Sequence, residues 1–431
     1  MRLEIMASVN ASDEKSSPMF SPQNSRQSTP GTELDALFDD TSFLATEDHY
    51  VLVTGGLGFI GSHTVLELLK AGYNVIIVDD LSNSFHDVFN RILRIANQHF
   101  EHCVGRCPKA ELHKTSYRDV PAMRAVLESH CPANLPRDQL RTTIIGVIHF
   151  AAFKAVEESI SQPLKYYQNN VSGLVDFMAL LNEYNIKTFI YSSSATVYGT
   201  LADGSRLLRE EHCVHEDETY QDVDGIKRRA QQGCTGITNP YGRTKFIGEA
   251  ILSDLARSDP AWNIVGLRYF NPIGCDASGL LGEDPKGDAT NLLPVVVKVM
   301  MGEYEELSVY GGDWNTRDGT TIRDFIHVTD LARGHIAALS AAQAGRIQGS
   351  YRTFNLGTGI GNSVLEIVAA MESVSERKIP RKVVGRRVGD VQSSVAATDR
   401  ARRELGWETK ESLTDACRDV WNYLHVKVIG V

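Results

Sequence analysis

Two residues in one short stretch are spaced for proton chemistry. In Asn239-Pro-Tyr-Gly-Arg-Thr-Lys245 the phenol of Tyr241 and the amine of Lys245 stand four residues apart. Pro240 suits the first position of a helix, so both side chains share one helix face. A phenol of ordinary pKa, about 10, is a poor base at neutral pH. A neighbouring ammonium, or another positive group held beside it, favours phenolate and brings the group toward its working range. A second stretch, Ile190-Tyr-Ser-Ser-Ser-Ala-Thr-Val-Tyr-Gly199, reads as a strand breaking into three hydroxyls. Ser194 is the candidate partner of a reacting hydroxyl, whereas Ser192 and Ser193 equally suit strand-end backbone groups. Neither stretch is specific alone.

Upstream, Thr54-Gly-Gly-Leu-Gly-Phe-Ile-Gly61 lies between an apolar run and a helical pattern, the context in which a glycine motif carries meaning. Gly55 and Gly58 permit a tight turn and close approach of backbone to a pyrophosphate. Gly61 lets the helix pack on the strand, and the helix N-terminus offers free N–H groups. Asp79 closes the next apolar run, at the distance where an acid receives the adenosine ribose hydroxyls. An acid there repels a 2′-phosphate, so NAD is expected rather than NADP.

These residues need a scaffold that brings them to one edge. Tyr50–Thr54 and Asn74–Asp79 read as buried strands, with Ser62–Lys70 a helix between them stopped by Ala71-Gly72. Thr143–Phe150, Thr188–Ser192 and Ile264–Phe270 continue as strands, Val171–Tyr184 and Tyr241–Leu255 as helices. Such alternation implies an α/β fold with a doubly wound parallel sheet. Past Asn271 the pattern is irregular and reads as a region over the strands' carboxyl ends, where such sheets bind ligands. Residues 200–237 read as a polar surface insertion. Residues 1–48 read as a disordered acidic tail rich in Ser and Pro, carrying −6 of the chain's −10 net charge; within it Glu33–Leu44 has helical spacing. The acidic balance gives no footprint for nucleic acid, no apolar run is long enough for a bilayer, and the start resembles no secretory or transit peptide. Seven scattered cysteines suit reduced thiols in the cytoplasm. The group His99, His102, Cys103, Cys107 and His113 matches no standard finger or ribbon, so no metal is expected.

Taken together, Gly55-Gly-x-Gly-x-x-Gly61, Ser192-Ser-Ser-Ala-Thr-Val-Tyr-Gly199 and Tyr241-x-x-x-Lys245 resemble the extended short-chain dehydrogenases, most closely the UDP-glucose 4-epimerase family. The resemblance runs from about Tyr50 to Leu424. It includes His149-Phe-Ala-Ala-Phe-Lys-Ala-Val156, Tyr166-Tyr-Gln-Asn-Asn-Val171, Leu267-Arg-Tyr-Phe-Asn-Pro-Ile-Gly274 and Asp318-Gly-Thr-Thr-Ile-Arg-Asp-Phe-Ile-His-Val328. It implies a Rossmann domain at 49–272 and a smaller α/β substrate-binding region at 273–431, with segments near 326–357 returning to the first.

For NAD the resemblance implies contacts from Phe59, Ile60, Asp79, Asn83, Ser84, Phe150, Ala151, Lys154, Asn170, Ser192 and Phe270, besides Gly55, Gly58, Gly61, Tyr241 and Lys245. For a UDP-sugar it implies Ser194, Asn271, Asn291, Leu292, Arg323, Arg387 and Asp390. The two arginines would clamp the pyrophosphate with forked donors, and Asp390 would accept from uridine hydroxyls. The implied reaction interconverts UDP-galactose and UDP-glucose through transient oxidation at C4, with NAD retained and the protein a homodimer. Two rivals share the scaffold: a 4,6-dehydratase or a UDP-glucuronate epimerase or decarboxylase. A dehydratase needs an additional acid–base pair where this chain has Ala195-Thr196, and a decarboxylase-type glutamate is missing too. A non-catalytic NAD-sensing regulator would typically lack the Tyr–Lys pair.

Three positions depart from the family pattern. Ser116 stands where many relatives place an aspartate against adenine, Asp80 where they often carry Asn, and Ser394 where the sugar's 2-position is walled. A small residue at the last implies that N-acetylhexosamines are also admitted.

Overall fold

The alternation of side chains along buried strands divides the core into two layers. On β1 (Tyr50–Thr54) Val51 and Val53 point to one face and Tyr50 and Leu52 to the other; on β2 (Asn74–Val78) Val75 and Ile77 oppose Ile76 and Val78. Every one of these residues is buried, as a strand covered by helices on both sides requires. The structure, a computed structural model, describes residues 49–429 except 104, 133–141, 205, 223, 288 and 388. The acidic tail with its Glu33–Leu44 segment lies outside the described residues.

The central sheet continues through β3 (Ala110–His113), β4 (Ile144–His149) and β5 (Thr188–Ser194). After a hairpin of β6 (Glu218–Gln221) and β7 (Lys227–Ala230) it resumes at β8 (Asn263–Tyr269). The chain then leaves through β9 (Asn271–Ile273), β10 (Leu307–Tyr310) and β11 (Ile322–His327), and returns once, at β12 (Tyr351–Leu356). The short strands β13 (Gly361–Ser363), β14 (Arg381–Val384) and β15 (Ser393–Ser394) follow. Seven parallel strands in the order β12-β8-β5-β4-β1-β2-β3 form the sheet. The chain winds from β1 outward to β3, then crosses to β4 on the other side of β1. A doubly wound sheet opens a crevice at that reversal, beyond the carboxyl ends of β1 and β4.

Helices Phe59–Lys70, Asp87–Glu101 and Val328–Gln343 cover one face, and Val120–Ser129, Gly173–Glu183 and Pro240–Ser258 the other. Outside the sheet, β9 and β15 pair in parallel with β11, and β13 antiparallel with it. A separate apolar cluster holds this layer together, with Ile273, Phe325, Ile367, Met371 and Val420 at its centre.

Three local expectations shift. The first helix begins at Phe59, not Ser62, because Gly58 is itself its N-terminal cap. Strand β5 does not break at the serines; it runs through Ser194, which pairs with Tyr269 of β8. The insertion is only partly a surface feature: Leu208, Glu210, Glu211, Cys213 and Val214 are buried. Glu210 accepts from the Asn355 N–H of β12 at 2.8 Å, and Arg400 reaches Glu211 at 2.9 Å. Its polar composition hid a charge network that needs partners far along the chain.

Candidate active site

The glycine turn occupies the crevice. Gly55 has φ +68°, and a Cβ there would lie 2.9 Å from the Ala151 nitrogen after β4. A Cβ on Gly61 would stand 2.2 Å from the Gly55 carbonyl oxygen, so a side chain is excluded where helix meets turn. The turn is tied to β2 through Asp79, whose carboxylate accepts from the Leu57 N–H at 2.9 Å, the Leu81 N–H at 2.9 Å and the Ser84 hydroxyl at 2.7 Å. Asn83, exposed, accepts from the Lys286 N–H at 3.2 Å. Phe59 and Ile60 open the helix, and Phe150 packs on the His335 ring 4.7 Å away. This floor lacks side chains at its closest approaches and has an acid at its end.

The second group sits on the helix Pro240–Ser258. Asn239 caps it, its side chain accepting from the Gly242 N–H at 2.8 Å, and Pro240 fills the first turn. Tyr241, Lys245 and Glu249 therefore follow one another on one face, against the end of β5. Tyr241 lies beside Ser194, whose hydroxyl accepts from the Thr196 N–H at 3.2 Å, and the Lys245 amine donates to the Ser192 carbonyl at 2.5 Å. The Lys245 nitrogen also lies 4.9 Å from the Tyr191 ring centre. Burial pushes the Tyr241 phenol up to about 12, with Ser194 opposing. Burial also lowers Lys245 to about 7, against the pull of Glu249. The expectation that the lysine brings the phenol down is not met by the protein alone. Lys245 stands 6.0 Å from the Tyr241 ring centre and is spent on a backbone carbonyl, so desolvation dominates. Asn170, buried, braces this helix by donating to the Thr244 hydroxyl at 3.1 Å, and bonds both backbone groups of Phe153.

A third group gathers on Glu283, which receives Lys154 at 3.0 Å and Asn291 at 2.7 Å; Leu292 begins the helix that follows Asn291. The fourth gathers on Asp390. Arg387 donates to it at 3.0 Å, and Arg323 lies 3.8 Å from the same oxygen. Arg323 is lowered to about 10 by burial, with Asp390 opposing. Ser394 is the register partner of Arg323 between β15 and β11, and is buried. Asn271 is exposed on β9, next to the buried Phe270. Of the histidine–cysteine group set aside as a metal site, His99 meets Cys103 at 3.8 Å.

Sequence reading missed Glu249, Arg268, His215 and Glu283. Glu249 accepts from Arg268 at 2.6 and 3.0 Å and lies 2.8 Å from His215, all deeply buried; Ser193 donates to it as well. Its position four residues after Lys245 was a usable signal. For Arg268 and Glu283 there was none, because their partners are remote in the chain.

A parallel sheet reversing at a glycine turn, with a tyrosine, lysine and serine at its carboxyl edge, defines a dinucleotide-binding enzyme of the Rossmann type. The family model described as "NAD dependent epimerase/dehydratase family" matches residues 51–357. The UDP-glucose 4-epimerase of Dictyostelium discoideum is 43% identical over 376 residues, 87% of this chain and 96% of that protein. That of Mus musculus is 42% identical over 375 residues, 86% and 96% respectively. The crystal structure of UDP-glucose 4-epimerase from Bifidobacterium longum in complex with NAD+ and UDP superposes with a TM-score of 0.74 at 39% identity, covering 89% of this chain and 100% of that one. The chain belongs to the NAD dependent epimerase/dehydratase family and, within it, to the UDP-glucose 4-epimerases.

Proposed function

We propose that the protein interconverts UDP-galactose and UDP-glucose by transient oxidation at the sugar C4, with NAD kept bound through each turnover. The observation that carries this is the placing of Tyr241 beside Ser194, with Lys245 held on the Ser192 carbonyl, at the carboxyl edge of β5 beside the glycine turn. The glycine turn fits a dinucleotide: Gly55 and Gly61 let turn, strand and helix approach more closely than a side chain allows, which leaves backbone N–H groups at the helix start for a pyrophosphate. Gly55, Gly58 and Gly61 would face the pyrophosphate, with Phe59, Ile60, Phe150 and Ala151 around it. Asp79, with Asn83 and Ser84, would face the adenosine ribose; Lys154, Asn170, Ser192, Phe270, Tyr241 and Lys245 would hold the nicotinamide half. NAD supplies there a hydride acceptor and a positive ring that favours the phenolate.

The chain's own residues do the rest. Tyr241 removes the proton of the 4-hydroxyl and later returns it, and Ser194 donates to the phenolate and aligns that hydroxyl. Lys245, rigidly held by Ser192, supplies positive charge in its protonated form. Arg323 and Arg387 bind the pyrophosphate of the UDP-sugar, with Asp390 on the uridine side and Asn271, Asn291 and Leu292 along the sugar path. A grip on the diphosphate alone leaves the sugar free to turn its other face. A dehydratase or decarboxylase is disfavoured because Ala195-Thr196 offers no carboxylate at the strand end.

Purified protein given UDP-galactose without added cofactor should form UDP-glucose and release NAD on denaturation. Accumulated NADH with free keto-sugar would sink the proposal. Ser394 is small and buried beside Arg323, which supports acceptance of UDP-N-acetylhexosamines as well. Turnover of UDP-galactose with none of UDP-N-acetylglucosamine would remove that extension. We further place the protein in the cytoplasm as a homodimer paired through helices of the nucleotide-binding half. Ile160, Leu164 and Val175 are exposed on adjacent helices there. Among the described residues no helix is long and apolar enough to cross a membrane.

A further inference from the structure

The insertion places two cysteines face to face behind the reacting edge. Val214 and Gly233 form an isolated antiparallel bridge, with the Gly233 N–H donating to the Val214 carbonyl at 2.8 Å. The next opposed pair is Cys213 and Cys234. Directly opposed antiparallel residues bring their Cα atoms to about 4.5–5.5 Å, within the span a disulfide bridges without moving backbone. Each thiol shifts the ionisation of the other, Cys213 upward and Cys234 downward, and both stand as free thiols. Cys213 is fully buried, while Cys234 is half-buried between the exposed Gly233 and Thr235. Cys234 is therefore the more accessible of the two residues, and Cys213 the enclosed one.

The pair is wired to the site. The Cys234 thiol donates to the carbonyl of Val197, a buried residue three positions after Ser194. The Cys213 carbonyl accepts from Arg268 at 2.7 Å, and the same guanidinium holds Glu249 on the Tyr241–Lys245 helix. Cys213, His215 and Glu249 also bring donor atoms within 4.8 Å of one another. Arg268 occupies both Glu249 oxygens, however, and its positive charge disfavours a cation. The sulfur pair is the reactive feature left.

We propose that Cys213 and Cys234 are a reversible dithiol–disulfide site, oxidised by low-molecular-weight disulfides, that governs how firmly the segment behind Ser194 is held. The neighbouring Cys213, aided by the charge of Arg268, holds the Cys234 thiol below its usual range despite burial, which favours it as the attacking group. Cys234 loses its proton and its thiolate attacks one sulfur of R–S–S–R, releasing R–SH. Cys213, losing its proton in turn, attacks the Cys234 sulfur and expels the second R–SH. Two protein S–H bonds are exchanged for one S–S bond, and one external disulfide is reduced to two thiols. The Val197 carbonyl then loses its donor in a buried place, the cost of one hydrogen bond, about fivefold in an equilibrium or rate.

The test uses the full-length protein with oxidised glutathione. Expected are an intact mass lower by two hydrogens, a proteolytic peptide joining Cys213 to Cys234, and a kcat reduced about fivefold at unchanged KM. Dithiothreitol should restore it. Cys234→Ser keeps a donor for Val197 and should be active and insensitive to the oxidant. Cys213→Ala should carry glutathione on Cys234 without the cross-link. Glutathione on Cys103 with the pair still reduced would overturn the proposal, as would a cross-link that leaves kcat unchanged, or inhibition that persists in both variants. The cross-link is read by mass, so its absence is distinct from any failure of the epimerase assay.

Discussion

Tyr241 and Lys245 are each held by burial in the form least suited to their surroundings' charge, the phenol up at about 12 and the amine down at about 7. Positive charge beside the phenol is what makes it a base, and the protein alone supplies it weakly. Tyr241→Phe should therefore lower kcat by about 10²–10⁴-fold while NAD released on denaturation stays at wild-type amount; near-normal turnover would exclude Tyr241 as the base. Lys245 carries a stability cost with a definite sign. Its folded pKa lies below the unfolded value, so the penalty is full below pH 7 and fades as pH rises toward the unfolded value, about 10.4. Lys245→Met should thus raise Tm relative to wild type most at pH 6 and least near pH 10, while activity falls throughout. A Tm difference that does not narrow with pH would contradict the burial of a charged amine. At Ser394 the expected effect is selective: Ser394→Tyr should keep UDP-galactose turnover and lower UDP-N-acetylglucosamine turnover at least tenfold, compared as kcat/KM.

The element that holds this chemistry is the helix Pro240–Ser258, and Glu249 fastens it. Burial opposes the carboxylate, but Arg268 and His215 outweigh it and hold the carboxyl well below the usual range. A depressed acid contributes stability that is complete above its unfolded pKa, about 4.3, and lost as pH falls toward the folded one. Glu249→Gln leaves the Arg268 charge buried without its partner, a loss of about 3–5 kcal/mol. Thermal melts should show a lower Tm at pH 7 and a shallower further fall between about pH 5 and pH 3 than wild type. Parallel curves would mean that Glu249 is not ionised in the folded protein. The strand-end serines illustrate the same point: Ser193 serves Glu249 and Ser192 serves Lys245 through its carbonyl, leaving Ser194 for Tyr241.

Across the whole molecule the two halves of the chemistry come from different layers. The cofactor elements belong to the seven-stranded sheet, whereas Arg323, Asp390 and Ser394 stand on the short strands around β11 and the loop before β15. Arg323→Ala should accordingly raise KM for UDP-galactose at least tenfold with bound NAD unchanged; loss of NAD would show that the layers are not separable. The exposed Leu164, 74% accessible, with Ile160 and Val175 nearby on the chain, is the apolar surface that pairing would bury. Leu164→Glu should shift the molar mass in light scattering from dimer to monomer, and an unaltered mass would place any dimer contact elsewhere.

Much of this is legible in the sequence. The glycine turn, Asp79 and the Tyr–Lys spacing are local patterns, each set by what a turn, a strand end or one helix face permits, and they suffice for the sheet and its cofactor edge. The boundaries at Phe59 and Ser194 were not, because a cap and a strand partner decided them. Nor were the networks: Glu249 with Arg268, Glu283 with Lys154 and Asn291, and Arg323 with Asp390 join residues whose spacing in sequence carries no periodicity. The sequence by itself determined which groups could react and which cofactor they suit, since those depend on residue type and short-range geometry. Only the tertiary structure decided their protonation and their bracing, because burial and long-range pairing exist only after the layers have closed.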